Sequence, residues 1–502
     1  MIAEKITQLT FTEVLNSIFV ILTSYFIYSF IIYPYYFHPL SAIPGPKYLA
    51  FSKWFILFLT WSEKRNRYIH KLHQLYGPII RIGPNEVDIS DANYIKEIYI
   101  NNFDKTEFYK MYDTYGEYHT FAYLTQKQHL ESRKMSNKYY SKTQIMKPKS
   151  QKIVSNVVSQ CINIISLKHQ EGPLEVLQLF QRMAMDVVAA YNFGESHYDS
   201  LLLNDNPKDV IYSFKTVARL WFWGKFFPQY EPYISTPIEK ENGKYTITWT
   251  ESQYDKSFQD IDNETLVSIL IKAGKNRNQG LAEVYDHLVA AYNTTSVTLT
   301  FFLYELILHP EHQETLINEL KHLRPTNTDS FTPPSMESVD DLPFLNAFLS
   351  EVFRIHAAIP GQEPRIVPKS GLKWHGSVET PPCNIPYGTI VTMQPWTLHR
   401  DSTIFPDPEK FDPYRWLNKT DDTLRAMNKQ MLTFGAGVRM CIGMHLALEE
   451  IKMVIGGIFT RFQVLKDPNF DYDSSMFMID RYTTAPKAYM TNIVFKPLDL
   501  DS

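Results

Sequence analysis

The sequence predicts a mainly α-helical (α+β) body with small β-sheets, carried behind an N-terminal transmembrane helix. Three observations predict it. Val14 to Phe37 is almost wholly apolar, and no Asp, Glu, Lys or Arg occurs between Glu13 and Lys47. Apolar residues recur at helical spacing from about Ser150 to Gly194 and again from Leu281 to His309, with few breakers. Short β-branched runs rich in Gly and Pro occur only near the start of the body, Gly77 to Ser90, and late, Pro360 to Met393.

The anchor comes first. About 20 residues rising ~1.5 Å each cross a bilayer core of roughly 30 Å. Tyr33, Tyr35 and Tyr36 stand where an interfacial aromatic belt lies. A cleaved signal peptide would have a shorter apolar region and a small-residue cleavage site, so a retained anchor is the favoured reading. Ile43-Pro44-Gly45-Pro46 then reads as a stiff hinge. The predicted organisation is a short segment 1–13, an anchor 14–37, a Pro/Gly hinge 38–46 and a body 47–502. Lys47 and Lys53 follow the helix, while Glu4 and Glu13 offset Lys5 before it, so the positive-inside bias puts the body on the cytosolic side.

Gly77 to Ser90 alternates apolar and polar residues around Gly83-Pro84-Asn85, as two antiparallel strands would. Between Leu201 and Asp260 the pattern is irregular, and Asn242-Gly243 suggests a hairpin. No Gly/Ser linker or internal repeat divides the body. A net charge of -4 with scattered basic residues excludes nucleic acid as an expected partner. Three cysteines, Cys161, Cys383 and Cys441, are too few and too far apart for a disulfide framework, which points to a reducing compartment.

Two of those cysteines read as inert core residues. Cys441 does not: it lies in Phe434-Gly435-Ala436-Gly437-Val438-Arg439-Met440-Cys441-Ile442-Gly443, directly before an apolar helical run that opens at Met444. A metal-binding thiolate needs a sulfur screened from water, and N–H groups at a helix start supply compensating charge. Glycines let backbone come close. The segment fits F-x-x-G-x-R-x-C-x-G, and by it the chain resembles the cytochrome P450 family, with a chance occurrence below about one in a thousand. The resemblance implies haem b (iron protoporphyrin IX) with Cys441 as thiolate axial ligand. It also implies Arg439 against a propionate, Phe434 packed near the sulfur, and Gly443 at the close approach of the loop.

Further matches run along the chain. Glu351-Val352-Phe353-Arg354 is similar to the family's E-x-x-R, and Phe411-Asp412-Pro413-Tyr414-Arg415-Trp416 to the element whose arginine joins that pair. A buried Glu351–Arg354–Arg415 cluster is implied, with a supporting role, since buried charges persist only when paired and hydrogen-bonded. His129 and Arg133, four apart in His129-Leu130-Glu131-Ser132-Arg133-Lys134, are implied propionate contacts, as is Arg365 in Glu363-Pro364-Arg365, while Lys134 faces solvent.

The run Glu283 to Thr295 resembles the long family helix that crosses the oxygen-binding face, with Ala290 and Thr294 one turn apart. Ala290 leaves room for dioxygen, and the Thr294 hydroxyl can back-bond to its helix or hold a proton-delivering water. Asn293 departs from the family, which usually has an acid there, and Ala291 stands in place of the usual glycine. Asn cannot carry a proton, so the relay is expected to pass through water or a substrate hydroxyl.

The implied activity is a monooxygenase taking electrons from NADPH through a partner NADPH–cytochrome reductase, with cytochrome b5 as a further candidate donor. It uses O2 to oxidise a lipophilic small molecule at the endoplasmic reticulum membrane. Tyr387-Gly388-Thr389 and Leu398-His399-Arg400-Asp401 look like fungal microsomal members of secondary metabolism, which suggests a terpenoid or polyketide intermediate. The rival readings are a haem-thiolate isomerase or dehydratase that needs no reductase, and a non-catalytic membrane haem-binding protein. Expected substrate contacts fall in Phe108 to Phe121, around Ala290 and Thr294, in Ala357 to Pro360 and in Tyr482 to Ala485.

Overall fold

A computed structural model describes residues 10–101, 103–204, 206–258, 264–325 and 331–499. Glu4, Lys5 and most of segment 1–13 lie outside these residues. The chain divides into two compact units, one of residues up to 91 with 363–393, the other of residues 92–362 with 394–502.

In the first unit, helix α1 (Phe11–Ile27) starts at Thr10, whose hydroxyl accepts from the Glu13 N–H while Glu13 Oε2 accepts from the Thr10 N–H at 2.8 Å. The helix continues from Tyr28 to Phe37 in wider turns that accommodate Pro34, which lacks an N–H. The most apolar 18-residue window of this 27-residue run has a mean hydropathy of 1.9 and none of it is buried, the composition of a segment that meets lipid. Arg81, itself buried, donates to the carbonyl of Pro34 at 2.7 Å and to that of Pro84 at 2.7 Å. It thereby ties the base of the anchor helix to a sheet.

That sheet runs Ile79–Gly83, Glu86–Ile89, Ile390–Thr392, Arg365–Ile366. The first two strands pair antiparallel with Ile79 opposite Ile89, the next pair is parallel with Val87 opposite Val391, and the last is antiparallel with Arg365 opposite Val391. The Pro44-Gly45-Pro46 hinge lies against it. Gly45 has φ +152°, and a Cβ there would stand 2.5 Å from the Arg81 carbonyl, so only glycine lets the hinge pack this closely.

The second unit is built on helices α2 (Gln126–Ser136), α3 (Pro148–Lys168), α4 (Val176–Phe193), α5 (Arg277–Leu308), α6 (Pro343–Ile355) and α7 (Met444–Phe459). Asn276 starts α5 in a capping box with Gln279, which anchors a helix of 32 residues. It packs along α4, and in its C-terminal half buried Phe302 meets Phe348 of α6 and Phe459 of α7. Each such ring contributes roughly 1.5–3 kcal/mol by leaving water. A small sheet of Leu174–Glu175, Asn492–Pro497 and Phe462–Lys466 closes one side.

The hairpin expected at Asn242-Gly243 does not form. Both residues lie inside helix Pro237–Ser257, because Thr236 and Glu239 make a capping box, Pro237 takes the first turn, and the Asn242 side chain donates to the Ile238 carbonyl instead of turning the chain. Buried Trp249 and Tyr254 hold that helix to the core, and this packing outweighs the turn preference of Asn-Gly.

Candidate active site

The site is in the second unit, and its loop is shaped by backbone. Gly437 has φ +67°, and a Cβ on it would lie 2.5 Å from the Tyr99 carbonyl and 2.9 Å from the Ile100 Cα, so no other residue fits. The Cys441 N–H donates to the Phe434 carbonyl at 2.8 Å, closing the loop on itself. Phe434 also meets Phe353 of α6 edge-on, with centroids 5.3 Å apart. Gly443 then begins α7, and a Cβ there would meet open space.

Cys441 is exposed by surface area yet surrounded closely enough by protein that burial raises its thiol. Together these place the sulfur on the wall of an interior cleft rather than on the outer surface. The N–H groups of Gly443 and Met444 and the charge of Arg133 act in the opposite direction and favour the thiolate. Burial likewise raises the Cys161 thiol, with no such donors.

On α5 the flanking turns Leu281–Val284 and Thr295–Leu303 are buried, whereas Ala290 between them is exposed. Asp286, Ala290 and Asn293 share one stripe by their spacing. The charge of Asp286 acts on the Cys441 sulfur, so this end of the stripe lies near the thiol. The Thr294 hydroxyl donates to the Ala290 carbonyl at 2.9 Å.

Basic groups gather on the side of the cleft where α2 meets the loop. Arg133 Nη1 donates to the Met440 carbonyl at 2.6 Å, and Arg439 donates to the carbonyls of Tyr123 and Leu124, both at 2.8 Å. His129 is pushed down to about 3 by burial and by the charges of Arg439, Lys105 and Arg133, so its ring is neutral. Its Nδ1 is buried and has no hydrogen-bond partner among the described residues. Lys105, also buried, stands over the rings of Phe121 and Tyr109 at 3.8 and 3.9 Å.

These residues fit an iron porphyrin on the chemistry of the donors. A sulfur supported by N–H groups suits a metal thiolate, and two arginines, a lysine and an unsatisfied imidazole nitrogen suit paired carboxylates. The comparisons agree. The family model Cytochrome P450 matches residues 44–491. The chain belongs to the cytochrome P450 family.

Among curated relatives, it is 30% identical over 445 residues to Cytochrome P450 monooxygenase orf2 of Aspergillus niger, covering 85% of this chain and 86% of that one. It is 26% identical to Cytochrome P450 monooxygenase cypX of Dothistroma septosporum, over 89% of each chain. Cytochrome P450 monooxygenase aflV of Aspergillus parasiticus is 27% identical, over 90% of this chain and 91% of the relative. This chain is therefore a haem-thiolate monooxygenase.

Behind the cleft of this cytochrome P450, Glu351 receives Arg354 through both oxygens at 2.7 and 2.9 Å, Arg415 Nε at 2.9 Å, the Asp412 N–H at 2.9 Å and the Trp416 indole at 2.9 Å. Glu351 and Arg354 have no exposed surface. Burial disfavours the Glu351 charge, but the arginines outweigh it and hold its carboxyl below the usual range. Arg354 spends its remaining N–H groups on the carbonyls of His399, Pro408 and Lys410. Arg365 lies in the first unit, buried, beside Glu363 at 3.8 Å. Lys134 is exposed.

Four contacts are not announced by the motifs that contain or border them. His399 joins α6 to the loop: its Nδ1 lies 3.2 Å from the Arg354 carbonyl, and its Nε2 accepts from the Leu432 N–H at 2.9 Å. Glu283 on α5 accepts from the Thr120 N–H at 2.9 Å and faces His287 at 3.5 Å. Burial opposes its charge, but His287 and Thr120 hold it down at about 2. Asp286 pairs with His119 at 3.2 Å, which places a carboxylate–imidazole couple one turn before Ala290. Lys105 could not be told from any other lysine by spacing.

Proposed function

We propose that this monooxygenase draws electrons from NADPH through a separate membrane reductase and oxidises a lipophilic intermediate of fungal secondary metabolism, a terpenoid or polyketide, on the cytosolic side of the endoplasmic reticulum. The observation that supports the reading is the closed loop that carries Cys441 into the start of α7, shaped by Gly437, gripped by Arg133 at Met440 and flanked by His129, Arg439 and Lys105. The fungal relatives and the apolar helix ahead of the body support the setting.

When bound, a haem iron supplies the binding and reductive cleavage of dioxygen. Cys441 holds that iron as a thiolate, with the N–H groups of Gly443 and Met444 compensating its charge. Phe434 excludes water from the sulfur. His129, Arg133 and Arg439, with Lys105, bind the two carboxylates of the porphyrin and fix its orientation. Ala290, with its small side chain, would leave room for dioxygen. Thr294 turns its hydroxyl from the Ala290 carbonyl to a water, and that hydroxyl passes a proton without help from an acid at position 293. Glu351, Arg354 and Arg415 keep the loop's support rigid. In the domain scheme, 14–37 is the anchor, 38–46 the hinge and 47–502 the catalytic domain.

The test compares metabolites of a producing host with and without the protein, beside a reductase and under labelled dioxygen. A compound that gains one labelled oxygen only when NADPH and reductase are present is the expected result. Unchanged metabolites under producing conditions would refute it. Asn293 favours one alternative, an isomerase or dehydratase needing no external electrons; turnover independent of NADPH would establish that reading.

A further inference from the structure

Where α5 ends, the chain passes through His309-Pro310-Glu311-His312 into helix Pro310–Leu320. We propose that His309, Glu311 and His312 form a binding site for a divalent cation of the zinc class, distinct from the haem cleft. One ligand atom from each lies within 4.8 Å of the others. His309 Nδ1 stands 3.4 Å from Glu311 Oε1, and His312 Nε2 stands 4.0 Å from the same oxygen. Bonds of ~2.0–2.2 Å to a tetrahedral centre put ligand atoms roughly 3.3–3.5 Å apart, so the His309–Glu311 pair is already in place, the His312–Glu311 pair closes by a small turn of the exposed Glu311 chain, and the two imidazole nitrogens, within 4.8 Å, close by a small shift of the partly exposed His309 ring.

The rings are held before any ion arrives. His309 stacks on Phe411 with centroids 5.8 Å apart and lies 5.0 Å from the His312 ring, while His312 packs against Phe344 and Tyr414. Only 7% of His312 is exposed; its Nε2 is the nitrogen toward Glu311, and its Nδ1 has no partner among the described residues.

A carboxylate stands behind one ligand. Glu305 Oε2 lies 3.6 Å from His309 Nε2, the nitrogen facing away from Glu311, as in a carboxylate–histidine–metal arrangement. The other oxygen of Glu305 lies 2.5 Å from His356 Nε2, which fixes its position. The charge balance also favours a cation. Glu305 and Glu311 bring two negative charges, and the C-terminal end of α5 adds its dipole, against the opposing dipole of the shorter helix. Three protein donors leave a fourth position for water, and the two imidazoles select zinc over magnesium. The ion would pin the end of α5 to the following helix.

The test uses the full-length holoenzyme without a histidine tag, dialysed against zinc near neutral pH, with bound metal measured by elemental analysis. One zinc per chain and a raised thermal midpoint are expected, undiminished by excess magnesium. His309→Asn with His312→Asn should weaken binding by at least ~100-fold, and Glu305→Gln by about 10-fold. The reduced carbon monoxide spectrum of each variant checks that the haem cleft is intact. No zinc bound by the parent, or equal binding by the double variant, would overturn the site.

Discussion

Arg133 Nη1 lies 2.6 Å from the carbonyl oxygen of Met440, so α2 grips the backbone one residue before Cys441. The same guanidinium favours the thiolate of Cys441. Replacing Arg133 with Ala removes a charge-assisted hydrogen bond of about 1.5–3 kcal/mol. The expected outcome is a lower thermal midpoint and faster haem loss on dilution. Arg133→Lys keeps the charge but not the planar fork, and should recover only part of both. Haem retention equal to that of the parent in Arg133→Ala would show that the grip is unimportant.

Glu351 is the shared acceptor of two arginines, an indole and a backbone N–H. Glu351→Gln leaves two guanidiniums without their counter-charge in a region with almost no water. A loss of about 3–5 kcal/mol follows, or failure to fold with haem. The control is Asp255, whose pair with Arg277 is about half exposed. Asp255→Asn should cost under ~1 kcal/mol in the same denaturation measurement. Equal losses for the two would contradict the role given to burial.

The parts of the site legible in the sequence are those whose chemistry demands close spacing. The loop around Cys441 had to carry glycines, since Gly437 sits 2.5 Å from the backbone of Tyr99 for any Cβ, and Glu351 and Arg354 had to share a helix face. Position in the chain says nothing about side chains that meet across it. His399 joins Arg354 to Leu432, 45 residues one way and 33 the other, and no local pattern announces that. Lys105 and the His119–Asp286 couple are of the same kind. The Asn242-Gly243 reading failed for a related reason: capping at Thr236 and burial of Trp249 are decided by packing, which a two-residue turn signal does not see.

His399 predicts an acid-sensitive fold. Its Nε2 accepts from Leu432 and its Nδ1–H donates to Arg354, so the ring must be neutral, and burial followed by the charges of Arg400 and Arg354 pushes it down to about 3. The unfolded ring titrates near ~6.5. Its contribution is fully present above that pH and is lost as pH falls toward 3, where the folded ring also takes a proton. The slope is at most about 1.4 kcal/mol per pH unit. His399→Asn has no titration there, and its stability should fall less steeply between roughly pH 6.5 and 4 in denaturant unfolding. Identical slopes would remove His399 from the account.

Thr294 and Asn293 carry the last prediction, which separates proton delivery from packing. The Thr294 hydroxyl is held by the Ala290 carbonyl at 2.9 Å, and the Asn293 carbonyl accepts from Ser296 at 3.1 Å, so both residues have local partners in the resting helix. If the Thr294 hydroxyl moves a proton, Thr294→Ala should lower product per NADPH consumed by roughly 10-fold or more and raise peroxide, while Thr294→Ser, which keeps the hydroxyl, should restore most of it. A packing role gives the opposite ranking, because Ala disturbs the helix no more than Ser does. Asn293→Asp adds a group that can carry a proton beside that hydroxyl and should raise the coupling of the parent. Unchanged coupling in both Thr294→Ala and Asn293→Asp would place the relay elsewhere, and the Asp286–His119 couple one turn before Ala290 would be the next pair to substitute.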